Sequence, residues 1–247
     1  MMEQLIYGIH PVRECLRSGA RPVSCLYVAR ETGSSGLKAI VHLARRQGYT
    51  IRFESRNLLD ERVGGAKHQG VVAVCAARPY FELDDLLDGL GPAPLVVVLD
   101  SVEDPRNLGA VLRCCAAAGV DGVIVTRDHA AGVTPTVSKA AAGGLEYLSI
   151  ARVSNLARAI DQLKAKGLWV AGLETGQPLG CQDLDLTLAT ALVLGNEGTG
   201  LRRLVREKCD FLASIPTPGP IRSLNVSVAA GIVLYEAIRQ RGRSQTG

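Results

Sequence analysis

The chain has 247 residues, of which 47% are hydrophobic, 21% are charged and only 4% are aromatic, and its formal net charge is +4. This length suits one large domain or two modest domains with a buried core. The apolar runs are far shorter than the roughly 20 residues of a membrane span, and the N-terminus lacks a signal-peptide pattern, so we expect a cytoplasmic protein without membrane helices.

The positions of the cysteines, histidines and charged residues limit which metals and macromolecules the chain is expected to bind. The seven cysteines and four histidines are scattered, with no Cys-x-x-Cys pair and no histidine cluster, so we predict no metal site. Residues 1–78 carry twelve Lys and Arg against six Asp and Glu. This excess suits a partner with a phosphate backbone, although solvated helix faces are the commoner cause of so mild a bias.

The first part of the chain alternates strand and helix patterns and predicts a small βαβαβ module that ends near Ala76. Strands are predicted at 23–30 and 50–55 and in the closing stretch "HQGVVAVCA". Between the first two strands, serine caps, apolar residues at helical spacing and a stop at Gly48 predict a helix. The following residues, 77–93, are acidic and rich in proline and glycine, and they predict a linker with about one helical turn.

The second part, residues 94–247, repeats strand and helix more strongly. Strands are predicted at 95–100, 122–126, 168–173, 191–195 and 211–216, with helices that begin near Asn107, Thr134, Ser154 and Leu201. The Val, Ile and Leu runs are continuous rather than alternating, which indicates strands covered on both faces and a mainly parallel sheet. Ligands of such sheets usually bind beyond the carboxyl ends of the strands.

Two segments that follow predicted strands carry candidate site residues. In "DSVEDPRNLGAVLRCCAAAG", Asn107 and Arg113 lie near the N-terminal end of a helix, where anions are favoured, although Asn107 could simply cap the helix. In "ALVLGNEGTGLRR", glycines beside Glu197 allow the backbone to approach a ligand closely. The chain has neither a P-loop nor a Gly-x-Gly-x-x-Gly after a strand, which counts against nucleoside triphosphatases and ordinary dinucleotide dehydrogenases.

A third segment, "IPTPGPIRSLNVSVAAG", places three polar residues at the start of a long apolar helix. Ser223, Asn225 and Ser227 exceed the single residue that a helix cap requires. Their apolar neighbours indicate a buried setting, in which polar groups must find partners. We therefore interpret this cluster as part of a site.

Together and in this order, the motifs "NLGAVLRCCAAAGVDGVIV", "LVLGNEGTGL" and "IPTPGPIRSLNVSVAAGIVLYEA" resemble the three motifs of the SpoU/TrmH-type (SPOUT) RNA 2′-O-ribose methyltransferases. This resemblance covers nearly all of residues 94–241. The stretches "YGIHPVRECL" and "KHQGVVA" are similar to the RNA substrate-binding domain of the branch that methylates a guanosine in 23S ribosomal RNA.

The resemblance implies an α/β protein of three parts: an RNA substrate-binding domain at 1–76, a linker at 77–93 and a parallel-sheet SPOUT methyltransferase domain at 94–247 with a C-terminal trefoil knot. It further implies a homodimer that uses S-adenosylmethionine to methylate ribosomal RNA. By motif position, the implied cofactor-binding residues are Thr175, Gly195, Ile215 and Leu224, and the implied catalytic residues are Asn107, Arg113, Glu197, Ser223 and Asn225.

The expected chemistry is attack of a ribose 2′-hydroxyl on the sulfonium methyl group, which requires orientation of two reactants and removal of a proton. Family proposals make the arginine at Arg113 the proton acceptor. A guanidinium has a pKa above about 12, so a role as a phosphate clamp is easier to justify. The alternatives are the same chemistry on transfer RNA or another ribosomal RNA site, and a non-catalytic RNA-binding ribosome-assembly factor.

Overall fold

The computed structural model describes residues 3–30 and 33–244, and its contacts divide the chain into two units. The first unit comprises Met1–Pro79 together with Val133–Tyr147, and the second comprises Tyr80–Gly132 together with Leu148–Gly247. Within the described ranges, no helix is long and apolar enough to cross a membrane. The same ranges contain no group of three His, Cys, Asp or Glu residues that could hold a metal ion.

The secondary structure follows the predicted alternation of strands and helices. The strands are β1 (Glu3–Tyr7), β2 (Val23–Ala29), β3 (Ile51–Glu54), β4 (Val71–Ala76), β5 (Leu95–Leu99), β6 (Gly122–Thr126), β7 (Ile150–Val153), β8 (Trp169–Leu173), β9 (Thr190–Leu194) and β10 (Phe211–Ala213). The α-helices are α1 (Ile9–Ser18), α2 (Ser35–Arg46), α3 (Arg56–Arg62), α4 (Leu83–Asp88), α5 (Pro105–Ala118), α6 (Pro135–Ala140), α7 (Leu156–Ala165), α8 (Arg203–Lys208) and α9 (Val226–Ser244). Short 3-10 helices cover Gly144–Tyr147 and Cys181–Asp183.

The first unit is built on a four-stranded sheet in the order β1-β4-β2-β3. Strand β4 runs antiparallel to both neighbours, whereas β2 and β3 are parallel. The three predicted strands are confirmed, and β1 is an additional strand that the sequence did not reveal. Helices α1 and α2 cover one face of the sheet, and Leu59 of α3 packs with Tyr27 on the other. As predicted, a serine caps α2: the hydroxyl of Ser34 accepts a hydrogen bond from Leu37 N.

The second unit contains a six-stranded sheet in the order β10-β8-β9-β5-β6-β7. All five strand pairings are parallel, which confirms the predicted parallel sheet. Every residue of β5, β6 and β9 is buried, as expected for strands with helices on both faces. Strand β7 was not predicted, because "IARV" is short and contains a charged residue. The trefoil knot stays a prediction.

Two segments pack differently from what their composition suggested. The stretch predicted as a linker contains α4, whose Leu86 and Leu87 join the hydrophobic core of the second unit. Residues 133–147 fall within the predicted catalytic domain, but their contacts place them in the first unit, where α6 packs on β1 and the 3-10 helix on α1. The domain limits predicted from the sequence differ from this division at residues 133–147, and they stay a prediction.

A buried ion pair holds residues 133–147 within the first unit. The guanidinium of Arg21 donates two hydrogen bonds to the carboxylate of Glu146, and both residues are only 5% exposed. Arg21 also donates to the Gln4 side chain of β1 at 3.0 Å and to the Ala76 carbonyl of β4 at 3.3 Å. The Arg21 guanidinium thus donates hydrogen bonds to acceptors from three segments. Because Arg21 is held in this way, its ion pair fixes the position of Glu146 within the first unit.

We expect Glu146→Leu to lower the free energy of unfolding of the first unit by about 3–5 kcal/mol, because it leaves the Arg21 charge buried without its partner. Hydrogen exchange of β1 and β4 amides in increasing urea measures this loss. The double variant Arg21→Met/Glu146→Leu removes both of these charges and should recover part of the loss, since Arg78 still loses its 3.8 Å ion pair with Glu146. The exposed pair Arg203 and Glu207 is the control, and its removal should change stability by less than about 1 kcal/mol. Equal losses in the single and double variants would contradict the prediction.

Candidate active site

The candidate site lies at the carboxyl ends of four neighbouring strands of the second unit. Strands β10, β8, β9 and β5 are adjacent in the sheet, so the loops that follow them meet at one edge. The chain passes from β5 outward to β6 and β7, and later strands fill the other side. This change of direction produces the crevice in which parallel sheets bind ligands.

Three of the predicted catalytic residues form one hydrogen-bonded cluster around the carboxylate of Glu197. Its Oε1 accepts hydrogen bonds from Asn107 Nδ2 at 2.6 Å and from Asn225 Nδ2 at 2.7 Å. It also accepts one from the backbone N of Val226, the first residue of α9, at 3.1 Å. Asn225 Nδ2 donates in addition to Asn107 Oδ1 at 3.1 Å. Side chains separated by up to 118 residues in the sequence are thereby joined.

Helix capping explains why the two asparagines can reach the carboxylate. The N-cap of α5 is Asp104, whose side chain accepts from Arg106 N and Asn107 N, so the capping role considered for Asn107 is wrong. The Asn107 side chain is therefore free to point at Glu197. Asn225 combines both roles: its Oδ1 accepts from Ser227 N at 2.9 Å, as a helix cap does, while its Nδ2 belongs to the cluster.

A tight glycine turn presents Glu197. Asn196 and Gly200 exchange two backbone hydrogen bonds, of 3.1 and 2.8 Å, that close the turn. A Cβ atom on Gly195 would lie 2.4 Å from the backbone of Gly200, so this position admits only glycine. The Asn196 side chain fastens the turn to the loop after β5 by donating to the carbonyl of Ser101 at 2.9 Å.

A fully buried carboxylate, that of Asp100, holds this turn in place. Asp100 was not among the predicted site residues. Asp100 directly follows β5, and its carboxylate accepts hydrogen bonds from Arg202 N at 2.8 Å and Arg202 Nε at 2.6 Å. Arg202 follows the glycine turn, so the pair links the loop after β5 to the loop after β9. The signal in the sequence is an acidic residue at the end of an otherwise apolar strand, where a buried charge requires a partner.

The four residues that the resemblance assigns to the cofactor line one open cavity of about 340 Å³. Thr175 follows β8, Gly195 follows β9, and Ile215 and Leu224 lie on the chain between β10 and α9. The wall includes apolar side chains and polar groups; its other members include Leu173, Glu174, Leu194, Asn196, Glu197, Thr217, Arg222, Ser223 and Val226. This size and mixed lining are typical of small-molecule and cofactor sites.

A second, smaller cavity of about 180 Å³ adjoins the cluster. It shares Asn196, Glu197 and Val226 with the larger cavity and is also lined by Asn107. The carboxylate of Glu197 therefore borders both spaces. An arrangement of this kind can bring two reactants to one carboxylate from different directions.

The remaining two predicted catalytic residues lie outside the hydrogen-bonded cluster. Ser223 is exposed and lines the larger cavity. Arg113 is exposed on α5, six residues after Asn107, which corresponds to about 9 Å along the helix axis and a different face. Among the residues that the structure describes, Arg113 has no hydrogen-bond or ion-pair partner. The catalytic roles of all five residues stay predictions.

Comparison with known proteins identifies relatives along almost the whole chain. A family model described as the SpoU rRNA Methylase family matches residues 94–235, and one described as RNA 2′-O ribose methyltransferase substrate binding matches residues 5–81. The 23S rRNA (guanosine-2′-O-)-methyltransferase RlmB of Vibrio cholerae is 46% identical over 245 residues, which is 98% of each chain. Escherichia coli RlmB is 42% identical, covering 97% of this chain and 100% of the relative.

Solved structures show the same similarity in three dimensions. The crystal structure of the SpoU methyltransferase AviRb from Streptomyces viridochromogenes, in complex with AdoMet, superposes with a TM-score of 0.82 at 30% sequence identity. The match covers 98% of this chain and 91% of that chain. Both units of the fold are therefore represented in a solved relative.

We expect Glu197→Ala to destabilise the start of α9 by about 1 kcal/mol, because Val226 N and both asparagines lose their common acceptor. Hydrogen exchange in the first turn of α9 measures the loss. Thr199→Ala is the matched control, since it shortens an exposed side chain in the same turn. Unchanged exchange in Glu197→Ala would mean that the carboxylate does not support the helix.

Proposed function

The chain belongs to the SpoU rRNA methylase family, as its motifs indicated, and from this premise we propose that it methylates the ribose 2′-oxygen of a guanosine in 23S ribosomal RNA. Family membership makes it an S-adenosylmethionine-dependent RNA 2′-O-ribose methyltransferase. Relatives named for 23S guanosine methylation, 42–46% identical over nearly the whole chain, support the finer assignment. A cytoplasmic location belongs to the same proposal and rests on ribosomal RNA as the substrate.

The observation that carries the proposal is the position of the Glu197 cluster beside the larger cavity. The residues around that cavity suit S-adenosylmethionine: Ile215 and Leu224 offer apolar surface for an adenine, and loop backbone and Glu174 offer polar partners. The absence of a side chain at Gly195 allows the glycine turn to close beside the cavity, so that the turn backbone forms part of the cavity wall. When bound, the cofactor supplies an electrophilic methyl group on a sulfonium centre.

The cluster provides the groups needed to hold the attacking hydroxyl. All three donors to Glu197 bind Oε1, and its Oε2 has no hydrogen-bond partner among the described residues. We assign Oε2 to accept a hydrogen bond from the ribose 2′-hydroxyl, which would enter through the smaller cavity. Asn107 and Asn225 fix the carboxylate, so that Oε2 orients the hydroxyl and would take up its proton when the hydroxyl oxygen is methylated.

Arg113 is assigned to the RNA backbone rather than to the proton. Its guanidinium is exposed and has no hydrogen-bond or ion-pair partner among the described residues. Planar guanidinium groups bind phosphate through two parallel hydrogen bonds. In this role Arg113 orients the target nucleotide, while Ser223 at the rim of the larger cavity contributes a hydroxyl to the same site.

We expect Glu197→Gln and Arg113→Ala each to lower the rate of methyl transfer at least about 100-fold, because the first loses the hydroxyl acceptor and the second loses the phosphate clamp. Transfer of labelled methyl from S-adenosylmethionine to an unmodified 23S transcript measures this. RNA affinity should fall no more than about tenfold, and binding of S-adenosylhomocysteine should persist. Arg106→Ala is the control, since it removes an exposed arginine from the first turn of α5.

Three outcomes would overturn the assignment. Methyl transfer to transfer RNA alone would move the enzyme to another substrate, and mapping of 2′-O-methyl groups would locate it. Wild-type protein that binds the transcript but methylates no RNA would favour a ribosome-assembly factor. Unimpaired transfer by Glu197→Gln would remove the proposed role of its carboxylate.

We propose that the enzyme is a homodimer that associates through α9. One face of this helix is buried through Ala230, Val233, Leu234 and Ala237 and packs on α5. The other face exposes an apolar stripe at helical spacing, formed by Val228, Ile232, Tyr235 and Ile238. Tyr235 is 73% exposed. A contiguous apolar stripe of this kind next to a catalytic site is typical of an interface between subunits.

We expect the double variant Ile232→Glu/Tyr235→Glu to be monomeric, because two carboxylates cannot be desolvated at the centre of an apolar interface. Sedimentation velocity of the wild type and the variant measures the change. Leu204→Glu is the control, since it places the same charge on another exposed leucine, in α8. A wild-type monomer, or a variant that stays dimeric, would contradict the assigned interface.

A further inference from the structure

The two N-terminal motifs of the sequence, which the catalytic cluster does not use, meet at one junction in the first unit. The side chain of Gln69, from "KHQGVVA", accepts a hydrogen bond from the backbone N of Ile9, from "YGIHPVRECL", at 3.2 Å. The backbone N of Gly8 donates to Val71 O at 3.1 Å. The Gln69 side chain thus accepts a hydrogen bond from the first residue of α1, as a helix cap does. The preceding residue, Gly8, has no side chain that could take this role.

The backbone of this junction is held in conformations that side chains disfavour. Gly8 and Gly70 have φ values of 99° and 84°, and Gln69 lies at 58° although it is not a glycine. A non-glycine residue in the left-handed region requires support from its surroundings, and such residues concentrate at ligand sites. His68 supplies part of the support, because its Nδ1 accepts from Gly70 N at 3.0 Å while Nε2 contacts Asp60.

A lysine from the distant segment 133–147 completes the junction. The Nζ of Lys139, on α6, donates to the same Gln69 Oε1 at 2.8 Å. A Cβ atom on Gly8 would lie 2.0 Å from this nitrogen, so a side chain there would displace the ammonium from its present position. The ammonium also lies 6.0 Å from the centre of the Tyr7 ring. Lys139 is therefore held at a defined position beside the start of α1.

At the junction, no carboxylate of the described residues pairs with the ammonium groups of Lys139 and Lys67. The hydrogen-bond acceptor of Lys139 is a neutral amide, and Lys67 is exposed with no hydrogen-bond or ion-pair partner among the described residues. Burial and the neighbouring Lys67 ammonium both hold the pKa of Lys139 below its usual range. Holding two ammonium groups near each other is unfavourable unless an anion joins them, and RNA phosphates are such anions.

We propose that Lys139 and Lys67 hold a backbone phosphate of the substrate RNA at the Gly8–Gln69 junction. The inference rests on the proposed function in one respect only, that RNA is the substrate. The substrate-binding family model matches residues 5–81 only. With Lys139, the proposed RNA-binding surface also includes a segment from the range that the methylase model matches. Phosphate contacts of this kind position RNA without reading its sequence.

The experiment compares RNA affinity and its salt dependence in the full-length protein. Lys139→Gln removes the charge but keeps an amide donor for Gln69, and Lys67→Gln changes an exposed side chain whose loss cannot disturb the fold. Arg45 and Lys38, both exposed on α2, provide the matched control variant Lys38→Gln/Arg45→Gln. The probe is an unmodified 23S transcript, and the dissociation constant is measured at several salt concentrations.

We expect each single variant to weaken RNA binding about 3- to 10-fold and the double variant about 10- to 50-fold. If the two lysines share one phosphate, the slope of log affinity against log salt concentration should be shallower by about 0.7–0.9 in the double variant than in the wild type. The rate of methyl transfer at saturating RNA should stay within twofold of the wild type. The control double variant should change the affinity less than threefold.

The phosphate site would be refuted if Lys67→Gln and the double variant bound RNA like the control, or if the salt slope did not change. A loss of affinity in Lys139→Gln alone, accompanied by a lower melting temperature, would assign that lysine a structural role and would also refute the site. Failure of the proposed function would give a different result. The wild-type protein would then transfer no methyl group to the transcript, whatever the RNA affinities of the lysine variants.

Discussion

The candidate site depends on one carboxylate oxygen that three separate segments of the chain share. Oε1 of Glu197 accepts hydrogen bonds from Asn107 in the first turn of α5, from Asn225 just before α9 and from the first backbone amide of α9. The donors come from two of the motifs and the acceptor comes from the third, so the contact determines how the three motifs meet. A carboxylate suits this position because it has no hydrogens of its own and can accept several donors at once.

Rigid supports keep this carboxylate in place although it is exposed. The buried Asp100 carboxylate binds Arg202 behind the glycine turn, and Asn196 binds the Ser101 carbonyl in front of it. Both contacts connect the ends of β5 and β9, which are already hydrogen-bonded neighbours in the sheet. The turn that carries Glu197 is thus attached to two inner strands of the six-stranded sheet, which is how a site can hold a side chain with the accuracy that catalysis requires.

Much of this organisation could be predicted from the sequence, because it follows from local patterns. Continuous Val and Ile runs predicted the parallel sheet, and the rule that ligands bind beyond strand ends placed Asn107, Glu197 and Asn225 at one edge. The family resemblance supplied the predicted roles of these residues, which stay predictions. Other features could not be predicted, since they depend on partners far away in the chain: the pairing of β1 with β4, the burial of Asp100 against Arg202, and the contact between Arg21 and Glu146 across 125 residues.

The division of the first unit between two stretches of chain has a consequence for synthesis. Residues up to Pro79 contain its whole sheet, but the segment that carries Lys139 and Glu146 follows more than fifty residues later. During translation, the sheet of this unit can form before its last helix has been made, and Arg21 lacks its buried partner until residue 146 has emerged from the ribosome. The N-terminal unit therefore matures only after strands β5 and β6 of the other unit have been synthesised, so synthesis of the second unit begins before the first unit can be complete.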